Sequence, residues 1–264
     1  MTAFALYLLL GAFAGILAGL LGVGGGLVLV AALVGLLPLQ GVPSESAMHA
    51  ALATSLASIV VTGLSSARAH HRRGSVAWTS VRWLVPGLLL GAGLGSALAV
   101  ALPGTVLRWA VAVYCFLAAG QLAFGATRLR AADAGDPNGA GLSAAGLGIG
   151  AVSALVGIGG GSMTVPLLIW LGSTPVRAVG TSSACGVFIA IASAAGYAGF
   201  GTPEAMPAGS LGYVFLPAAV GVALASVLTA PLGTRIAHRV GATALKRVFA
   251  GFLVVVGLFL ASGF

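Results

Sequence analysis

Charged side chains are scarce in this 264-residue chain. Only 6% of its residues are Asp, Glu, Lys or Arg, whereas a soluble domain carries about 25%. Hydrophobic residues make up 59%, and the mean hydropathy is +1.12. This balance excludes an ordinary soluble enzyme and predicts an all-α polytopic membrane protein.

Acidic residues are fewer than basic ones, and every one of them falls in a predicted loop: Glu45, Asp133, Asp136 and Glu204. No Asp or Glu is left inside a span to relay protons or bind a cation, which disfavours a metal transporter or a carboxylate-based proton antiporter. Cys and His show no metal-ligand spacing, and neither a nucleotide-binding loop nor a nucleophile elbow with its base is present. We therefore expect no enzyme activity, no metal and no cofactor.

The two cysteines, Cys115 and Cys185, each lie alone in an apolar run. They predict free, buried thiols rather than a disulfide. The net charge of +8 comes from short basic loops, which the positive-inside rule explains without nucleic acid. No basic segment precedes the first apolar run, so a cleaved signal peptide is not expected.

Glycine is abundant, with 42 residues. Two runs, 22–26 (GVGGG) and 157–161 (GIGGG), interrupt long apolar stretches. Consecutive glycines do not hold a helix without support, and a broken helix at membrane depth is tolerated only beside protein or a water-filled cavity. Other glycines recur every four residues, a spacing that predicts close helix packing: Gly11, Gly15 and Gly19, and Gly87, Gly91 and Gly95.

The second half of the chain repeats the first. In both halves a glycine break is followed by a Thr-Ser helix, then a Pro-bearing helix and a last apolar helix. The charged, turn-rich segment 127–141 separates a first membrane repeat, 1–126, from a second, 142–264. Apolar spans are predicted at 47–66, 83–102, 106–126, 210–231 and 245–263, with a basic loop at 67–82. Pro86 and Pro217 are expected to kink their helices.

Basic residues set the predicted topology. If each glycine-broken segment enters and leaves on one side, all 12 basic residues except Arg108 face the cytoplasm. Each half is then a glycine-tipped re-entrant helical hairpin plus three transmembrane helices. An odd number of crossings inverts the second half, so we expect two inverted-topology repeats. The predicted location is a bacterial inner membrane, with basic loops inside and both termini outside.

The hairpin tips predict an anion site near the midplane. Helix N-termini offer unpaired N–H groups and a partial positive charge, and glycine lets a ligand reach the backbone. Hydroxyls of the Thr-Ser helices would complete the site, although such groups commonly bond to helix backbone instead. The predicted substrate-binding residues are Gly24, Gly25, Gly26, Thr54, Ser55, Gly159, Gly160, Gly161, Ser162, Thr181, Ser182, Ser183 and Cys185. His49 could titrate, or serve as an interfacial residue.

The motif GLLGVGGG, its second copy ALVGIGGGSMTVPLL and the run VGTSSACGVF resemble the sulfite exporter TauE/SafE family over nearly the whole chain. The resemblance implies a bacterial inner-membrane carrier of sulfite, sulfoacetate or other organosulfonates. The first half departs from the pattern, because Pro166 follows the second glycine run and residues 27–31 contain no proline.

Three functions fit the sequence. The leading hypothesis is a secondary transporter that moves a small sulfur-containing anion by alternating access. The first alternative is a channel for a small anion or neutral solute, and the second is a membrane-embedded enzyme or accessory subunit. The expected partners are the anion and membrane lipid. Helix faces lined with glycine can pack within one chain or between chains, so the sequence leaves open whether the protein forms a homo-oligomer.

Overall fold

The computed structural model describes residues 2–21, 25–124, 136–201, 206–237 and 242–263. It is mostly helical, as predicted, and the described helices follow the same order in each half. In the first half these are α1 (Thr2–Leu21), α2 (Gly26–Leu36), α3 (Ala47–Arg72), α4 (Trp78–Ala101) and α5 (Gly104–Phe124). In the second half they are α6 (Ala140–Val156), α7 (Gly161–Trp170), α8 (Pro175–Gly199), α9 (Leu216–Ala237) and α10 (Ala242–Ser262).

Four described helices are long and apolar enough to cross a membrane: α3, α4, α5 and α8. The two most enclosed, α3 and α8, pack antiparallel. Their direction follows from two contacts: Gly63 lies against Val187, and Ser66 donates to Ser183 across 3.3 Å.

Glycine seams join helices from opposite halves. A Cβ atom at Gly95 of α4 would lie 2.5 Å from the carbonyl oxygen of Ala151 in α6. Nearer the start of both helices, Gly87 packs in the same way on the Ser143 carbonyl. In the same way Gly11 and Gly15 of α1 pack on the α9 backbone. Both helix pairs run parallel. Contacts this close need residues without side chains, so the predicted packing role is confirmed at these positions. The packing predicted for Gly19 lies outside the part of the chain whose side-chain surroundings are described.

Two helix boundaries differ from the prediction. The basic loop expected at 67–82 shortens to 73–77, because α3 continues to Arg72. Its last turn carries Arg72, and a positive group is favoured at the negative end of a helix.

Residues 210–215 were predicted to be helical and instead form two short strands, β1 (Ser210–Leu211) and β2 (Val214–Phe215). The cause is local, since Gly209 and Gly212 have φ angles of +88° and +55°, which stop a helix.

Only one of the two prolines predicted to lie inside a helix does so. Pro86 lies inside α4, as predicted. Pro217 is the second residue of α9, in the first turn, where a proline removes no intrahelical hydrogen bond. The proline inside α9 is Pro231 instead.

Candidate functional site

The second glycine break is buried within the protein. Helix α6 ends at Val156, and Gly157 closes it in the left-handed conformation, with φ at +76° and its N–H bonded to the Ser153 carbonyl. Gly160 then starts α7 with φ at +72°. Residues 157–161 are all buried. Two positive φ angles within four residues explain why glycine is needed here.

The first break follows the same plan. Helix α1 ends at Leu21, and Gly25 precedes α2 with φ at +64°, matching Gly160. Residues 22–24, including the predicted site residue Gly24, lie outside the described residues. Gly25 packs back on α1, because a Cβ atom at Gly25 would lie 2.8 Å from the carbonyl oxygen of Ala14.

The two breaks lie against each other, joined by one predicted site residue. Ser55, fully buried in α3, donates from its hydroxyl toward the carbonyl oxygens of Gly26 at 3.2 Å and Gly157 at 3.1 Å. A Cβ atom at Gly26 would lie only 2.5 Å from the same Gly157 oxygen. The first residue of α2 therefore packs on the end of α6.

Each break leads into a helix, α2 from Gly26 and α7 from Gly161. The described residues provide no side-chain cap for either N-terminus. The first N–H groups of a helix have no intrahelical acceptor, and they carry its partial positive charge. An arrangement of this kind can hold an anion without a cationic side chain.

The predicted threonines both accept backbone hydrogen bonds from the opposite half. Thr54 Oγ1 accepts from Phe215 N at 3.0 Å, and Thr181 Oγ1 accepts from Ala77 N at 2.9 Å. These oxygens fix the segments that lead into α9 and α4. Their protein partners fill part of the hydrogen-bonding capacity that was expected to serve a ligand.

The remaining predicted residues have varied surroundings. Ser162 pairs with Tyr114 of α5, and Ser183 donates to the Val179 carbonyl at 2.9 Å. Ser182 is 2% exposed, and its hydroxyl has no hydrogen-bond partner in the described part of the chain. Cys185 is a free, buried thiol. Gly159 packs on α8 next to it, since a Cβ atom at Gly186 would lie 2.6 Å from the Gly159 oxygen.

His49 lies near the start of α3. Its Nε2 is 3.2 Å from the carbonyl oxygen of Ala99 and 3.0 Å from that of Leu102, and its ring stacks on Tyr213. Because both neighbours are acceptors, Nε2 carries a proton. These contacts tie α3 to the end of α4.

Sequence reasoning missed two hydroxyls beside the second break, on Ser153 and Thr164. They stand four residues before Gly157 and four after Gly160, and this spacing was the only available signal. Tyr114, the partner of Ser162, gave no signal because its contact is long-range. In the described residues no group of three His, Cys, Asp or Glu side chains could hold a metal ion.

Comparison with known proteins identifies the family of the chain. The family model of the sulfite exporter TauE/SafE matches residues 7–260. A Haemophilus influenzae protein described as a probable membrane transporter protein is 37% identical over 256 residues, which cover 96% of each chain. No solved structure matches the chain. With a family model that spans nearly its whole length, the chain belongs to the sulfite exporter TauE/SafE family of membrane transporters.

Proposed function

We propose that this transporter moves a small sulfur-containing anion, such as sulfite, sulfoacetate or another organosulfonate, by alternating access. The observation that carries the proposal is the junction at Ser55, whose hydroxyl donates to both glycine breaks, each of which leads into an uncapped helix. Backbone N–H groups at these N-termini would hold the anion, with nearby hydroxyls as further donors. Family membership supports the substrate class.

The proposed architecture is a pair of inverted repeats with re-entrant hairpins. For the second hairpin, the support is the ion pair between Asp136 and Arg177, at 2.7 Å. Asp136 precedes α6 and Arg177 lies in the first turn of α8. The chain between them therefore leaves and returns to one face, as a re-entrant segment must.

The first hairpin has analogous support. Tyr7 of α1 lies edge-on to Phe215, with ring centroids 6.3 Å apart, and His49 of α3 stacks on Tyr213 at 4.8 Å. Both contacts lie around the β1–β2 turn, so α1 and α3 start on the same face. Since α3 and α8 are antiparallel, that face is opposite to the one bearing Asp136.

Helix length supports a site near the midplane. At a rise of about 1.5 Å per residue, the 26 residues of α3 span about 39 Å, and Ser55 lies about 12 Å from its first residue. A hydrocarbon core about 30 Å thick has its centre about 15 Å from either surface. The junction therefore lies close to the middle if α3 begins at the membrane boundary.

Transport by the purified full-length protein in proteoliposomes tests the proposal. Radiolabelled sulfite uptake should saturate with concentration. Gly160→Ala should lower uptake strongly, because its φ is +72° and a Cβ there would collide with Ile189. Gly148→Ala in α6 is the matched control, since no described atom lies within 4 Å of its Cβ position.

Two outcomes would contradict the proposal. The first is the absence of saturable flux for sulfite and for organosulfonates. The second is flux that does not saturate and runs at channel-like rates, which would favour the channel alternative.

A further inference from the structure

Two buried hydroxyls beside the second break have no hydrogen-bond partner within the described structure. They belong to Ser153 in α6 and Thr164 in α7, and both residues are 0% exposed. Buried polar groups are nearly always hydrogen-bonded, because leaving water without a new partner is costly. An unpartnered pair at one place therefore requires an explanation.

Both oxygens lie beside the same glycine. A Cβ atom at Gly160 would lie 3.4 Å from Ser153 Oγ and 3.5 Å from Thr164 Oγ1. Gly160 is the residue that immediately precedes α7. The hydroxyls therefore both lie beside an uncapped helix N-terminus, close enough together for one small molecule to contact both.

Helix backbone does not satisfy these hydroxyls. Ser and Thr in helices commonly donate to a carbonyl three or four residues earlier. Ser58, Thr62 and Ser226 do so in this chain. Ser153 and Thr164 do not, so their protons remain available to a ligand.

The first break lacks this pair. Aligning Gly25 with Gly160 places Ala18 opposite Ser153 and Leu29 opposite Thr164. The geometry agrees at the first position, since Ala18 Cβ lies 3.3 Å from a Cβ atom at Gly25. The polar groups of the site are therefore concentrated beside α7.

We propose that Ser153 and Thr164 are substrate-binding residues for the sulfur oxyanion. Each donates one hydrogen bond to an anion oxygen, and the first N–H groups of α7, those of Gly161 and Ser162, donate to the same anion. A deprotonated sulfite or sulfonate group offers only acceptors, which matches a site made of donors. The positive end of α7 disfavours a cation in the same place. This inference rests on the proposed anion transport.

Anion-dependent thermal stabilisation of the full-length protein in detergent tests the inference. The probes are sulfite and methanesulfonate, compared with chloride at equal ionic strength. A ligand that binds only the folded state stabilises it by RT ln(1 + L/Kd), where L is the free ligand concentration, so the rise in Tm at a given anion concentration reports the affinity. Ser153→Ala and Thr164→Val should each raise the half-saturating concentration about tenfold or more, the effect expected for a lost hydrogen bond to a charged group. Ser226→Ala and Thr62→Val are matched controls and should leave it unchanged.

Stability without the anion gives a second readout. Removing an unpartnered buried hydroxyl costs little, so Ser153→Ala and Thr164→Val should keep the Tm of the wild type. The controls Ser226→Ala and Thr62→Val each lose a hydrogen bond to helix backbone. If Ser153→Ala and Thr164→Val lowered Tm as much as these controls, both hydroxyls would have a structural role and the inference would be overturned.

The possible failures are distinguishable. A wild-type protein that neither responds to the anions nor transports them overturns the proposed function together with this inference. If the wild type responds, and the variant that combines Ser153→Ala with Thr164→Val responds at the same anion concentration, only the assignment of Ser153 and Thr164 is overturned.

Discussion

Thr54 Oγ1 accepts a hydrogen bond from the backbone N–H of Phe215 at 3.0 Å, across 161 residues of sequence. Its counterpart Thr181 accepts from Ala77 N at 2.9 Å, across 104 residues. Each threonine lies in the central helix of one half and binds the segment that enters a helix of the other half. The two halves thus hold each other through equivalent bonds.

Replacing either threonine should weaken the fold. Thr54→Val or Thr181→Val leaves a buried N–H without an acceptor, which costs about 1–3 kcal/mol. Thermal unfolding in detergent should show a lower Tm for each valine variant, and Thr54→Ser or Thr181→Ser should restore most of it. Valine variants as stable as the wild type would mean that these bonds do not hold the halves together.

Ser55 should be more sensitive than a neighbouring serine. Ser55→Ala removes the donor shared by the Gly26 and Gly157 carbonyls, so both glycine breaks lose a contact. We expect a stability loss of about 1–3 kcal/mol together with impaired sulfite uptake.

Ser58→Ala is the control for Ser55→Ala. Ser58 is equally buried in the same helix but donates only within that helix, to the Ser55 carbonyl. Its loss should therefore be smaller in both stability and uptake. Equal effects at both positions would show that the junction between the breaks has no special importance.

The sequence predicted the helical class, because scarce charge and long apolar runs leave few other structures open to the chain. It also predicted the second break, since the left-handed conformation at Gly157 and Gly160 is a local property that glycine favours. The roles of Thr54 and Thr181 were not predictable, because their partners are distant in sequence. Ser153 and Thr164 were missed for a different reason, since isolated hydroxyls in apolar helices usually bond to their own backbone. The inverted hairpins remain a prediction.

The predicted inversion has a direct test in thiol labelling. Arg177→Cys and Leu39→Cys place single accessible thiols in the first turn of α8 and in the segment between α2 and α3, where the native side chains are 44% and 76% exposed. If the hairpins enter from opposite faces, a membrane-impermeant maleimide should label the first from the cytoplasmic side and the second from outside. The native Cys115 and Cys185 are buried and should stay unlabelled. Labelling of both variants from one side would rule out the inverted arrangement.

The seam between α4 and α6 can be tested with two glycines of one helix. Gly91→Ala would place a methyl group against the Leu147 carbonyl of α6, whereas Gly93 has no described atom within 4 Å of its Cβ position. The first substitution should force the two helices apart and lower Tm by several degrees or prevent folding. Gly93→Ala should keep or raise Tm, because alanine favours a helix over glycine by about 0.5–1 kcal/mol. Both effects are measurable by thermal unfolding in detergent. If Gly91→Ala proved as stable as Gly93→Ala, the close approach of α4 and α6 would not be what the fold requires.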